Sequence, residues 1–268
     1  MAQLAVYLMF SALITLGGAW LFYLAHTVTK RKDFGQYGSL TTYLGAAFLT
    51  FALAARWAAS GHAPYSSQYE FAIAFAWGAT IAYVYVERQF RVRTLGSFVA
   101  PVPLGLLLYA RTLPNDVNRL IPALQNNLLL TVHVAMAVIA YGSFAVACGG
   151  AIMYLLQRGD RVRWLPFRQD IDATCYRAVM LGFPCMGLVL VLGAAWGNIA
   201  WGRYWGFDPK ETAALTTWLI YAGYLHAHSI RSWRGTRSSV LLLAGFGATL
   251  FTYYGNLFLG GLHAYSGL

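Results

Sequence analysis

The sequence predicts an all-α fold, a polytopic membrane helix bundle of about eight transmembrane helices, and three observations lead there. Of the 268 residues, 59% are hydrophobic and 10% charged, against ~25% charged in soluble domains. The apolar residues gather in runs of about 20, the length an α-helix needs to cross the hydrocarbon layer. Positive charge falls between the runs, where membrane topology places it.

The runs lie near 4 to 26, 38 to 57, 69 to 87, 95 to 112, 127 to 157, 174 to 197, 213 to 232 and 239 to 258. No basic residue precedes the first, and its apolar stretch is too long for a signal core, so it is expected to stay as an anchor. The second follows Lys30-Arg31-Lys32 and carries one internal cation, Arg56. The third ends at Arg88, and the fourth is bounded by Arg93 and Arg111. The fifth is long enough to project beyond the bilayer at its cytoplasmic end. Arg177 lies early in the sixth, and Arg231 and Arg237 flank the turn from the seventh to the eighth. No fixed-period repeat and no low-complexity tract interrupts them, so residues 1–268 read as a single integral membrane domain.

Orientation follows from the nineteen Lys and Arg. Fourteen of them, Lys30 to Lys32, Arg88 to Arg93, Arg158 to Arg177 and Arg231 to Arg237, lie in connections after the odd-numbered runs. The positive-inside rule therefore places both termini outside. The net charge of +10 is thereby a topological charge, which argues against a nucleic-acid partner. Cys148, Cys175 and Cys185 sit in apolar sequence without Cys-x-x-Cys spacing, excluding a disulfide framework or a cysteine metal site.

With this orientation the six histidines fall at two levels. His62, His133 and His263 belong to the outer face, and His26, His226 and His228 to the cytoplasmic half. Histidine in a membrane segment reads as functional, although His26, His62 and His228 are equally well read as solvated interfacial residues. The connection between the sixth and seventh runs, about 196–211, holds Trp196, Trp201, Tyr204, Trp205 and Phe207 interleaved with Gly. An aromatic belt accounts for one or two of these; five suggest flat faces for a large planar apolar ligand. Asp208-Pro209 with Glu211 has capping-box spacing, which would seat the aromatic segment on the seventh helix.

Trp201-Gly-Arg-Tyr-Trp205-Gly-Phe-Asp208-Pro-Lys-Glu-Thr resembles the tryptophan-rich WWD signature of haem-handling proteins of cytochrome c biogenesis. Ser60-Gly-His-Ala-Pro64 with Tyr69-Glu70, Leu124-Gln-Asn126 running into His133-Val134, Leu219-Ile-Tyr221 to Leu225-His226, and Gly261-Leu-His263-Ala-Tyr265 are similar to the CcsA (ResC) branch, over roughly 40–268. The resemblance implies a subunit of a System II cytochrome c synthase with haem b as cargo. It implies as partners a CcsB-like membrane subunit, an apocytochrome c with a Cys-x-x-Cys-His motif and a thiol-disulfide reductant protein. It also implies that His133 and His263 ligate the iron from opposite faces, and that His226 ligates a second haem within the bilayer. The family's other inner ligand belongs to CcsB, and His26 is the alternative within this chain. The depths of His133 and His263 agree with approach to the loop from two sides. Arg56, the one outer cation within an apolar run, is the leading candidate for a haem propionate, because an unpaired charge there is costly. Phe207 and Ala213 stand where the signature often has Trp, and His228 where the family often has Arg.

Three functions of different classes are compatible with these residues. One is the synthase subunit, in which the apocytochrome supplies the thiols and this chain no nucleophile. The second is a haem exporter or receptor of the CcmC type. The third is a cytochrome b-like electron carrier, which needs paired histidines on facing helices. The expected location is a bacterial cytoplasmic membrane with the loop on the periplasmic side; a thylakoid membrane satisfies the same charge rule.

Overall fold

The computed structural model describes residues 1–117, 127–259 and 261. Among them every regular element is helical: α1 (Ala2–Thr29), α2 (Lys32–Ser60), α3 (Gln68–Phe90), a 3-10 turn (Arg93–Leu95), α4 (Gly96–Val99), α5 (Pro101–Arg111), α6 (Asn127–Leu156), α7 (Arg168–Trp201), α8 (Pro209–Ser229), α9 (Thr236–Tyr254) and α10 (Asn256–Leu259). A helix stands at each of the eight expected runs. Six stretches, α1, α2, α3, Arg93–Arg111, Leu128–Leu156 and α7, are long and apolar enough to cross a membrane, so the chain is an integral membrane protein. α8 and α9 are more polar, with Lys210, Glu211, His226 and His228 on the first and a Ser/Thr-rich second.

Two helices, α2 and α7, begin six residues before the expected bounds, and for one reason: hydropathy marks the lipid layer, not the end of a helix. α2 starts at Lys32 with Asp33 in its first turn, where an acid offsets the helix dipole. α7 begins with the polar turn Arg168 to Asp172 and continues through Trp201 to the left-handed cap Gly202 (φ 73°). Trp196 and Trp201 are therefore helical, and the connection ahead of α8 is only 202–208.

Neighbouring helices pack as α1 on α2, α3 on α2, α5 and α6, α6 on α7 and α9, and α8 on α7 and α9. α1 shows how a helix apolar on all sides selects its buried face. Ala5, Ala12 and Ala19 with Met9, Leu16 and Tyr23 are buried, while Tyr7, Ile14, Leu21 and Val28 are exposed. Leu16 and Tyr23 seat over Gly45 and Gly38 of α2, where a Cβ would stand within 2.7–2.8 Å of them. Small residues, not hydropathy, thus define the interface.

The closest approach joins α3 to α6. A Cβ on Gly78 would collide with the Val138 carbonyl, and one on Gly142 with the Gly78 carbonyl. Outward of this contact both helices carry large side chains, and a cavity opens between them.

The connections bearing most of the basic residues meet at the opposite end. Lys30 Nζ donates to the Trp164 carbonyl, tying the α1–α2 turn to the α6–α7 connection, and partial burial lowers the Lys30 pKa from its ordinary value. Nearby, Glu87 of α3 accepts from Tyr23 of α1 at 2.6 Å and from Ser39 of α2, with Arg93 at 3.8 Å. This carboxylate binds three helices together at the basic end.

Gly142→Val should force α3 and α6 apart and lower stability by ~1–3 kcal/mol, the usual cost of overpacking. Gly105→Ala, whose Cβ would meet no atom within 4 Å, should stay within ~0.5 kcal/mol. Thermal unfolding of the detergent-solubilised protein, followed by loss of the monodisperse peak, compares the two.

Candidate functional site

The cavity has a solvent-accessible volume of about 140 Å³, roughly ten times the space one water requires. It lies where α3, α6 and α8 begin and α7 and α9 end. α3 gives Phe71 and Phe75, α6 gives His133, Val134 and Tyr141, α7 gives Gly193 and Trp196, α9 gives Tyr253, and the α7–α8 corner gives Trp205, Lys210 and Glu211. A wall of aromatic and aliphatic side chains with one imidazole, one ammonium and one carboxylate suits a mostly apolar molecule with a few polar groups.

His133 is six residues into α6, and its position depends on α7. A Cβ on Gly193 would stand 2.9 Å from His133 Cε1, so the bare backbone there makes room for the ring. His263 lies outside the described residues. Gly261, two residues before it in sequence, lies against the corner of α8, where a Cβ would meet Asp208 Oδ2 and, at 3.0 Å, Pro209 Cδ.

The expected flat aromatic face takes a different form. Trp196 meets Trp201 edge-on (4.7 Å between centroids, 75°), and Trp205 meets Phe207 likewise (6.1 Å, 86°). Trp196 and Trp205 line the cavity; Trp201 and Phe207 do not. Phe207 is 76% exposed and holds a left-handed backbone (φ 53°). Trp196 and Trp201 are five residues apart at the end of one helix, and their rings meet edge to face, so they do not offer one continuous flat surface.

Asp208 occupies the role its spacing predicts. It caps α8, accepting from the Lys210 N–H at 2.9 Å, while Glu211 Oε2 accepts from the Asp208 and Gly206 N–H groups at 3.1 and 2.8 Å. Pro209 lies at N1, where its missing N–H costs nothing. This box fixes Trp205 and Lys210 at the cavity edge.

Arg56 is not an unpaired cation. Its guanidinium donates to Glu70 Oε1 at 2.7 Å and to the carbonyls of Asn115 and Asp116, with Arg56 3% and Glu70 1% exposed. Glu70 Oε2 also accepts from Ser66 N and Oγ at 2.7 and 2.8 Å. The pair joins α2, the segment after α5 and the Ser66 to Phe71 wall. The reason for assigning Arg56 to a propionate therefore falls away, and Lys210 is the cation facing the cavity. Sequence reasoning missed Glu70 and Gly193; Glu70 three residues after Ser67, a capping spacing, was a usable signal for the first.

At the basic end His226 is exposed on α8. His228 Nε2 pairs with Asp172 Oδ2 of α7 at 2.9 Å and stacks on Tyr176. His26 Nδ1 lies 2.9 Å from the Arg31 carbonyl and packs over Gly35 of α2. α1 and α8 are not among the closely packed helix pairs, and the contacts seen for His26 are with Arg31 and Gly35 of its own turn and α2. His62 is buried beside its own chain, Nδ1 3.0 Å from the Ala63 carbonyl.

Arg56→Met and Glu70→Met should each cost ~3–5 kcal/mol, because each leaves the other charge buried alone. The double variant should cost less than the two singles together, a coupling that chemical-denaturation midpoints measure. Additive effects would detach Arg56 from Glu70.

Residues 65–263 match the family model described as cytochrome C assembly protein. The chain is 33% identical to the cytochrome c biogenesis protein CcsA of Guillardia theta over 284 residues, covering 96% of this chain and 93% of that protein. It is 37% identical to CcsA of Chlamydomonas reinhardtii over 81% of this chain and 65% of that one, and 33% identical to CcsA of Synechococcus elongatus over 80% and 82%. In fold it is similar to a solved cytochrome c haem lyase, CcmF, with a TM-score of 0.73 at 17% identity, covering 94% of this chain and 46% of that one. The chain belongs to the cytochrome c assembly protein family, in its CcsA branch.

Proposed function

We propose that the chain is the haem-handling subunit of a System II cytochrome c synthase, which receives haem in the cavity and presents it to apocytochrome c at the outer face of the membrane. The carrying observation is an aromatic cavity into which one imidazole, His133, projects beside Gly193. His133 is the iron ligand available to this cavity, and His263 completes the axial pair on the strength of the resemblance. A six-coordinate iron between two imidazoles leaves no open position for oxygen, which protects the ferrous state. Trp196 and Trp205 line the macrocycle, and the capping box holds the α7–α8 corner rigid beside it. In the bond-forming step each apocytochrome thiol adds across a haem vinyl group, its S–H hydrogen going to the other vinyl carbon. No electrons are gained or lost, and no nucleophile from this chain is required.

The same reading makes all eight helices membrane spans of one domain, with both termini and the cavity outside, in a bacterial cytoplasmic or thylakoid membrane. Exposed His226 is then half of an inner haem site completed by a CcsB-like partner. The electron-carrier reading loses its support, since His26 turns to α2 and not to α8.

His133→Gly should strip most haem from the purified protein and abolish covalent holocytochrome c in a host making the apoprotein. Added imidazole should partly restore both by filling the vacant axial position. Normal haem content and maturation in this variant would sink the assignment; haem binding without any covalent product would favour the exporter. Co-expression with a CcsB-like subunit should raise haem per molecule, and His226→Ala should remove that increment while His26→Ala leaves it. The pyridine haemochrome assay reads both.

A further inference from the structure

The rim of the cavity carries polar groups that the aromatic wall does not explain. Lys210, second residue of α8, borders the cavity with Nζ 5.7 Å from the Phe71 ring centroid; among the described residues no carboxylate lies within ion-pair distance of it, and Asp208 acts on it from farther off. Tyr253, next to last in α9, is 7% exposed, and its buried hydroxyl has no hydrogen-bond partner among the described residues. Gln68, first residue of α3, lines the same cavity with a buried Oε1 that has no partner among the described residues. Native structures seldom leave such groups unsatisfied, because each costs about 1–3 kcal/mol when buried alone.

Several other polar groups nearby are already engaged. Glu211 accepts two backbone amides, Thr252 bonds Thr217 and the Ala248 carbonyl, and Arg56 is neutralised by Glu70. Lys210, Tyr253 and Gln68 come from three helix termini at one end of the bundle, whereas His133 lies about 9 Å along α6 from its first residue, at 1.5 Å per residue. An ammonium, a phenol and a primary amide, whose NH₂ turns inward as readily as its oxygen, are three donors around one opening.

We propose that Gln68, Lys210 and Tyr253 form a carboxylate subsite at the cavity rim that anchors an acidic side arm of the bound porphyrin, with Lys210 as counter-ion and Tyr253 as neutral donor. This rests on the haem reading of the cavity. It also fixes an orientation: the acidic edge lies at the rim beside the α8 corner, and the iron lies deeper, at His133. The cargo selected is an amphiphilic tetrapyrrole carrying free carboxylates, not any flat apolar molecule.

The test titrates purified full-length protein in detergent with ferric haem and with its dimethyl ester, whose side arms carry no charge, following the Soret band. Wild type should bind the free acid about tenfold to a hundredfold more tightly, the range for a charge-assisted hydrogen bond. Lys210→Met should abolish that preference while changing dimethyl-ester affinity less than about twofold. Tyr253→Phe removes a single oxygen without altering the ring, and should cut the preference severalfold even if the lysine variant folds poorly. A preference unchanged in both variants, with His133→Gly still weakening both ligands, overturns the subsite and leaves the cavity reading intact. No effect of His133→Gly on either ligand removes the cavity reading and the subsite with it.

Discussion

The contact of Gly78 with Gly142 sets the shape of everything outward of it. Apolar surface gains little by meeting other apolar surface in lipid, so helices are held by close packing, and packing is closest where no Cβ intervenes. α3 and α6 touch backbone to backbone at this point. One turn toward their N-termini they present Phe75 and Val138, then Phe71 and Val134, which are too large for the same backbone approach. There the contact passes from backbone to side chains, Phe75 meeting Tyr141 ring to ring at 5.5 Å and Ala74 packing with Val134 and Val138, and the cavity lies beside these side chains, lined also by α7 and the ends of α8 and α9. Depth and width thus follow from where glycine gives way to aromatic side chains.

Much of the fold could be read from the sequence because spanning helices are written as apolar runs, and the α8 cap because a capping box is local: Asp208, Pro209 and Glu211 lie within four residues. Which face of a helix is buried was not legible from hydropathy. In α1 both faces are apolar, and only the heptad spacing of Ala5, Ala12 and Ala19 distinguishes them. The aromatic segment failed for a related reason. Its composition announces a planar ligand, but which rings reach the cavity depends on how far α7 extends, and the apolar run ends before the helix does. Once α7 continues to Gly202, Trp201 packs edge-on against Trp196 and, of the two, Trp196 lines the wall. His133 was visible as a residue, but its companion Gly193, 60 positions later, becomes meaningful only when α6 and α7 are packed together.

The cations carry a similar lesson. A charge inside an apolar run has to be compensated, and that argument correctly singled out Arg56. It could not say by what. Compensation by a carboxylate of the same chain is available before any ligand arrives, and Glu70 with two carbonyls supplies it. A cation reserved for an anionic ligand has to be left without so close a partner, and among the described residues Lys210 has only the longer-range influence of Asp208. The arginine stabilises the wall, and the lysine faces the space that the wall encloses.

The basic end of α8 turns the same reasoning toward a partner. Two residues apart on a helix, His226 and His228 point about 200° from one another. Asp172 and Tyr176 of α7 take His228, which locks the last turn of α8 against the bundle. That lock leaves His226 facing away from its own chain, at a level where His26 is already turned toward α2. An imidazole so placed gains nothing from this bundle. If it ligates iron, as proposed, the second ligand has to come from outside the chain, so the pairing of His228 with Asp172 determines where a second subunit has to dock for the inner haem to be held from both faces.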